Sequence, residues 1–175
     1  MKKGKIIILE GPDCSGKSTL ANNLIKESNG IYIHNTYYKG MDVVYEHLHR
    51  FELAKQISNN GLNCFIDRMW LSELIYSKIY RDGVTNYNID ILADVFKNVD
   101  LNIICLPDKK KYLNLFEKNK EIRNEMFKEN MNKIYDEYEK FLLKQSDFNN
   151  YYQGNYIKYD FINMSENELK EKISL

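Results

Sequence analysis

The sequence contains few of the residues that mark secreted, metal-binding or multidomain proteins. Its 175 residues include only three cysteines and two prolines. The cysteines, at positions 14, 64 and 105, are odd in number and lack the CxxC spacing of structural zinc sites. Reduced thiols of this kind are typical of the cytosol. We therefore expect a cytoplasmic protein without a disulfide framework.

Neither sign of charge is in excess, and long apolar runs are missing. Lys plus Arg and Asp plus Glu number 25 each, so the formal net charge is zero. No overall electrostatic field therefore attracts nucleic acid or an acidic membrane. The apolar run at residues 6–9 ends at Glu10, far short of the roughly 18 residues that a membrane span needs. We expect a soluble protein whose phosphate chemistry, if any, depends on local charge.

The remaining composition fits a single domain over residues 1–175, with 43% hydrophobic and 29% charged residues. Short apolar runs alternate with segments of helical periodicity. The predicted strands are 5–9, 31–34, 62–67, 101–106 and 156–159. The predicted helices are 18–26, 43–59, 70–80, 88–96, 109–117 and 166–173. Apolar strands alternating with helices predict an α/β fold, with a five-stranded parallel sheet covered by helices on both faces.

Residues 11–18 read GPDCSGKS, a complete match to the phosphate-loop motif GxxxxGK[ST] between a predicted strand and a predicted helix. Gly11 and Gly16 let the loop curl so that its N–H groups face a phosphate. Lys17 adds a positive charge and Ser18 a ligand for Mg²⁺. The motif predicts a bound nucleoside triphosphate, which we take to be ATP, together with Mg²⁺. The residues expected to contact this donor are Gly11, Pro12, Asp13, Cys14, Ser15, Gly16, Lys17, Ser18 and Thr19.

The residues that accompany the loop separate the classes of phosphate-loop protein. A GTPase needs a guanine-reading NKxD motif, but the pair Asn119-Lys120 is followed by Glu and Ile. A motor or helicase usually ends a strand with Asp-Glu, whereas the third predicted strand ends with Asp67-Arg68. An arginine there suits an anionic second substrate. The sequence thus favours phosphoryl transfer between two bound molecules over hydrolysis.

Two blocks, IILEGPD at residues 7–13 and FIDR at 65–68 followed by LSELIY at 71–76, resemble the thymidylate kinase group of P-loop nucleoside and nucleotide kinases. The similarity is closest to the short bacteriophage-type members, which would act in the host cytoplasm. It implies the P-loop kinase fold with a small lid, and ATP-dependent phosphorylation of a nucleotide. Met69 and Ser77 stand where that group has an aromatic residue and a Gln that helps to read thymine.

The resemblance also implies roles for three residues, of which one lies inside the loop motif and two lie at the end of the third predicted strand. Asp13 would face the acceptor sugar, Arg68 would bind the acceptor phosphate, and Asp67 would help to order Mg²⁺. For the acceptor base we consider aromatic and stacking residues near these blocks. Tyr76 and Phe51 are the main candidates, and Arg50 beside Phe51 could stack or donate.

The lid is predicted at about residues 109–124, a segment that contains six basic and two acidic residues. Phosphoryl transfer needs cations around the transferring oxygens. We nominate Arg123 as the lid cation, with Lys120 second, and a solvated helical surface remains the alternative for these residues. A stripe of apolar residues follows the lid at helical spacing and predicts either a core-facing helix or the seam of a homodimer. Its members are Phe127, Met131, Ile134, Tyr138 and Phe141.

The second strand ends without a carboxylate, since no acid follows His34 until Asp42. A hydroxyl acceptor benefits from a general base, whereas a monophosphate is already an anionic nucleophile. We therefore expect a deoxynucleoside monophosphate as acceptor, with dTMP or a related pyrimidine nucleotide first. A kinase of nucleosides or of DNA hydroxyls, such as modified bases or 5′ ends, is the alternative. A non-catalytic regulatory protein that binds ATP is the second alternative.

Overall fold

Five strands form one parallel sheet in the order β2-β3-β1-β4-β5. This computed structural model describes residues 2–35, 37–38, 40–118, 125–150, 152 and 154–173, with the backbone alone at 125–128. The strands are β1 (Ile6–Glu10), β2 (Gly30–His34), β3 (Asn63–Asp67), β4 (Leu101–Cys105) and β5 (Tyr156–Tyr159). All neighbouring pairs run parallel. The predicted five-stranded parallel sheet is confirmed.

Helices alternate with these strands along the described chain. They are α1 (Lys17–Ser28), α2 (Val43–Asn59), α3 (Trp70–Tyr80), α4 (Ile89–Asn98), α5 (Lys109–Lys118), α6 (Glu125–Leu142) and α7 (Glu166–Ile173). Side-chain caps fix two of the starting points. The Asp42 carboxylate accepts a hydrogen bond from the Tyr45 N–H at 3.0 Å, and the Asn88 side chain accepts one from Ile91 at 2.9 Å. Among the described residues, no helix is both long and apolar enough to cross a membrane.

Hydrophobic cores lie on both faces of the sheet, and β1 is therefore buried on both sides. Ile7 and Leu9 pack in one cluster with residues of α1 and α7. Ile6 and Ile8 point to the other cluster, which contains residues of α2 to α6. Alternate residues of a strand face opposite sides, so a continuously apolar strand requires cover on each. The expected two-sided helical cover is confirmed.

The apolar stripe of α6 belongs to the second of these cores. Met131, Ile134, Tyr138 and Phe141 are fully buried within the chain. The stripe therefore packs inward, as the core-facing alternative predicts, and these four residues are not available as a dimer seam. The side chain of Phe127 lies outside the described residues.

The carboxyl ends of β1, β2 and β3 meet at one edge of the sheet. Asp67 at the end of β3 pairs in register with Leu9 on one side and with His34 on the other. Ligands of open α/β sheets bind in the crevice outside this edge. The turns that leave these strands therefore bring the phosphate loop, Asn35 and Arg68 together.

Candidate nucleotide site

The phosphate loop curls through backbone conformations that favour glycine. Gly11 has φ 142° and Gly16 φ 84°. A Cβ atom added at Gly11 would lie 2.3 Å from the carbonyl oxygen of Cys105, so a side chain does not fit there. Gly16 precedes α1, and no side chain of the described part of the chain caps the start of that helix. The N–H groups of its first turn are thus arranged as an anion site.

Lys17 lies inside this loop with its side chain almost completely buried. Its ammonium donates hydrogen bonds to the Pro12 carbonyl oxygen at 2.6 Å and to Ser15 Oγ at 3.4 Å. Burial and the nearby Arg68 charge lower the pKa of Lys17 to about 8. A cation held by neutral acceptors is well suited to receive an anionic phosphate group.

Ser18 and Asp67 meet beside the loop. Ser18 Oγ donates to Asp67 Oδ2 at 3.1 Å, and the Tyr32 hydroxyl donates to the same oxygen at 2.6 Å. The second carboxylate oxygen, Oδ1, is buried and has no hydrogen-bond partner among the residues that the structure describes. Such an orphaned acceptor is uncommon and is satisfied well by a metal ion or by its bound water. The donor set of a hydroxyl and a carboxylate fits Mg²⁺.

Mg²⁺ is usually bound by one or two protein groups together with substrate phosphates and water. The described part of the chain contains no cluster of three or more His, Cys, Asp or Glu side chains suited to a metal ion. A pair such as Ser18 and Asp67 is consistent with a metal ion that arrives with a nucleotide.

Asp13, Arg68 and Tyr76 form a second polar cluster, in which Asp13 belongs to the loop itself. The Arg68 guanidinium pairs with the Asp13 carboxylate, and the Tyr76 hydroxyl donates to Asp13 at 3.0 Å. The guanidinium also lies 4.9 Å from the centre of the Tyr76 ring. Burial acts to raise the pKa of Asp13, but the charges of Arg68 and Lys17 outweigh it and hold that pKa below its usual value. Asp13 is therefore ionised at neutral pH.

A cavity of about 540 Å³ opens beside this cluster, with Asp13, Arg68 and Tyr76 in its wall. Its wall also contains Glu73 and Arg81, which form an ion pair of 2.5 Å. The volume is that of a typical small-molecule site. The cavity therefore presents one paired acidic and basic set next to the phosphate loop and a second set on α3 and at its C-terminal end.

His47 also lines the cavity and is almost fully buried. Its Nδ1 lies 3.1 Å from the Tyr87 hydroxyl, and burial lowers the pKa of His47 to about 3. The ring is consequently neutral.

Two of the expected acceptor residues lie elsewhere. Phe51 is fully buried in the core. Arg50 donates to the His34 carbonyl oxygen at 3.2 Å and to Asn35 Oδ1 at 2.8 Å. Neither belongs to the cavity wall formed by the described residues. Both follow His47, the last residue of α2 in that wall.

The predicted lid is only partly described. Its first ten residues form α5, in which Tyr112 and Phe116 are buried against the core. The two nominated cations, Arg123 and Lys120, lie outside the described residues. Glu73 and Arg81 were not among the residues expected from the sequence, although an acidic and a basic residue in and just after α3 were a usable signal.

The fold of this chain is shared with solved structures, and a segment of its sequence is similar to a curated protein. No family model matches the sequence. A segment of 81 residues is 37% identical to the SPbeta prophage-derived uncharacterized protein YorR of Bacillus subtilis strain 168, and it covers 44% of this chain. The chain thus matches just under half, 45%, of the length of that curated relative.

Three solved structures share the fold over nearly the whole chain. YorR from Bacillus subtilis in complex with phosphorylated GDP has a TM-score of 0.67 at 22% identity, covering 97% of this chain and 94% of YorR. Deoxyadenosine kinase from M. mycoides with bound dATP gives 0.58 at 19%, covering 96% and 97%. Thymidylate kinase from Candida albicans gives 0.53 at 17%, covering 98% and 92%. The chain has the α/β fold of these kinases and of YorR.

Proposed function

We propose that this protein is a P-loop kinase that transfers the terminal phosphoryl group of ATP to a deoxynucleoside monophosphate, most readily dTMP or a related pyrimidine nucleotide. The observation that carries the proposal is the cluster of Asp13, Arg68 and Tyr76 between the phosphate loop and a nucleotide-sized cavity. The likeness to deoxyadenosine kinase and thymidylate kinase structures supports it.

On the donor side, Lys17 and the N-terminal amides of α1 would bind the ATP phosphates. Ser18 and the orphaned oxygen of Asp67 would hold Mg²⁺ directly or through water. The metal ion, when bound, supplies positive charge to the phosphate oxygens. Arg123 remains the proposed lid cation, and the proposed organisation is one domain over residues 1–175 with its lid at about 109–124.

On the acceptor side, Arg68 would bind the monophosphate while Asp13 keeps its guanidinium in place. A guanidinium has more N–H donors than one carboxylate uses, so the ion pair leaves donors for a phosphate. An anionic phosphate attacks without losing a proton, which agrees with the lack of a carboxylate at the end of β2. The main task of these residues is alignment.

Glu73 and Arg81 would read the acceptor base at the other end of the cavity. A carboxylate accepts an N–H and a guanidinium donates to a carbonyl oxygen. The adjacent N3–H and O4 of thymine match that pair. The N1–H and O6 of guanine offer the same edge, so the experiment must include dGMP.

A second candidate is a deoxynucleoside kinase. The ionised Asp13 carboxylate lies in the cavity wall and could accept a proton from a sugar hydroxyl. The likeness to deoxyadenosine kinase favours the same reading. The two candidates differ only in the acceptor group.

An assay of ADP release from MgATP separates these activities. The acceptors are dTMP, dUMP, dCMP, dGMP and dAMP, the corresponding nucleosides, and a DNA duplex with 5′ hydroxyl ends. We expect turnover with pyrimidine monophosphates and little with nucleosides, and the Lys17→Ala variant should be inactive with all of them. Phosphorylation of thymidine but not dTMP would replace the first candidate with the second. ATP binding without turnover of any acceptor would favour a regulatory protein.

A further inference from the structure

Arg68 has an unusual backbone conformation for a residue with a long side chain. Its φ is 68°, in the left-handed region that glycine prefers. Residues in this region persist only where their surroundings hold them, and they concentrate at functional sites. The contacts that hold Arg68 therefore bear on how its guanidinium reaches Asp13.

Two neighbouring strands fix the peptide groups of Arg68 itself. Its N–H donates to the Leu9 carbonyl oxygen of β1 at 2.8 Å. Its carbonyl oxygen accepts a hydrogen bond of 2.5 Å from Asn35 Nδ2, just after β2. Asn35 is buried, and its own side-chain oxygen accepts from Arg50. Arg50 thus contributes to the site through Asn35.

Glu10 fixes the residues that follow Arg68. Its side chain is fully buried, and Oε1 accepts hydrogen bonds of 3.1 Å from the N–H groups of both Met69 and Leu71. Its Oε2 accepts from the Ser72 N–H at 3.1 Å and from the Ser72 hydroxyl. Met69 precedes α3 and provides no side-chain cap of its own. The Glu10 carboxylate, at the end of the neighbouring strand β1, therefore caps α3.

We propose that Glu10 and Asn35 are positioning residues for Arg68: they hold its left-handed turn from both sides and thereby direct its guanidinium to Asp13 and the acceptor. This inference rests on the proposed role of Arg68 in binding the acceptor phosphate. Glu10 also connects the phosphate loop to α3, since it directly precedes Gly11 and its carboxylate caps that helix.

A purely structural cap would be simpler. A Ser or Asp at position 69 would cap α3 locally. Instead, a carboxylate occupies the core, where burial raises the pKa of Glu10 to about 7. Buried charged groups are weak stabilisers compared with well-packed apolar residues. The benefit of Glu10 is that it joins the end of β1 to the turn at Arg68.

The kinetic test compares Glu10→Gln, Glu10→Ala and Asn35→Ala with wild type, using MgATP and dTMP. Gln keeps one acceptor oxygen for the Met69 and Leu71 amides, so we expect the KM for dTMP to rise about threefold, against about tenfold or more for Ala. The Asn35→Ala variant should show the same rise in the KM for dTMP as Glu10→Gln. The KM for MgATP should change less than about twofold, because the donor contacts are retained.

Glu137→Gln is the matched control. Glu137 is a buried carboxylate of α6 that pairs with Lys78 of α3 at 2.7 Å and with Lys140. Its variant should keep the wild-type KM for dTMP. An equal rise in that control, or no rise in the Glu10 and Asn35 variants, would overturn the inference.

Crystal structures of wild type, Glu10→Gln and Asn35→Ala supply a readout that needs no acceptor. We expect the variants to lose the Arg68–Asp13 ion pair or the positive φ of Arg68. If wild type phosphorylates no acceptor, the proposed function fails while this structural comparison still decides the positioning role. An unchanged Arg68 in both variants would contradict that role even if the kinase activity is found.

Discussion

The two ends of the site differ in how their charges are balanced. On the proposed donor side, the acceptors of Lys17 among the described residues are neutral, and one oxygen of Asp67 has no hydrogen-bond partner there. On the acceptor side, Asp13 pairs with Arg68 and accepts from Tyr76. Among the described residues, the donor side thus has an unsatisfied acceptor, whereas the Asp13 carboxylate on the acceptor side is already paired.

This difference indicates that the two ends of the site contribute differently to binding. A buried charge without a partner costs free energy, which a phosphate or a metal ion would recover on binding. Donor binding should therefore stabilise the protein and complete the site. A preformed acceptor cluster instead avoids the cost of ordering side chains when the acceptor arrives. Substitutions at the two ends should consequently affect different kinetic constants.

The strongest test of the donor side is Lys17→Ala. We expect turnover to fall about a thousandfold, because a cation that contacts the transferring phosphates is removed. The fold should remain, since Lys17 has neutral partners and its desolvation opposes stability. Steady-state kinetics and thermal unfolding measure the two quantities. Wild-type turnover in this variant would refute the phosphate-loop assignment.

Asp13→Ala tests the acceptor side. Removing this carboxylate leaves Arg68 without its ion-pair partner, so we expect kcat/KM for the acceptor to fall about a hundredfold. Calorimetry without acceptor should give an unchanged or higher ATP affinity, because a negative charge near the phosphates is lost. Loss of ATP affinity equal to the loss of acceptor use would contradict the distinction between the two ends.

The pKa of Lys17 sharpens the same distinction. Its value of about 8 means that the ammonium loses its proton, and its attraction for phosphate, as the pH rises through 8. Between pH 7 and pH 9 the affinity of the apoprotein for ATP should weaken about tenfold. Acceptor binding should change less, because Arg68 stays protonated. Titration calorimetry at both pH values is the measurement, and a flat ATP affinity would count against a buried, phosphate-binding Lys17.

Much of this architecture was predictable because it depends on local sequence. The third strand was expected at 62–67 and lies at Asn63–Asp67, since its buried centre at residues 64–66 is apolar. The phosphate loop is contiguous, so its motif specifies both the residue types and their spacing. Asp67 and Arg68 could be located because parallel strands end at one edge of the sheet.

The cavity wall was less predictable because it depends on how helices rotate against the sheet. On α2, Val43 and His47 line the cavity, but Phe51, one turn further along, is buried in the core. Sequence spacing places all three on one helical face and does not show where that face leaves the cavity. The link from Glu10 to α3 is similarly long-range, because 59 positions separate Glu10 from Met69.

The smallest predicted effect concerns Tyr76→Phe. This variant removes the hydroxyl that donates to Asp13 but keeps the ring under the Arg68 guanidinium. A single hydrogen bond contributes about 1 kcal/mol, so the KM for the acceptor should rise about fivefold. ATP affinity should not change. A double-mutant cycle with Asp13→Asn separates the hydroxyl from the carboxylate: if they act together, Tyr76→Phe should have little further effect once Asp13 is changed. Additive effects would show that Tyr76 acts on the acceptor independently and that the preformed cluster is not a unit.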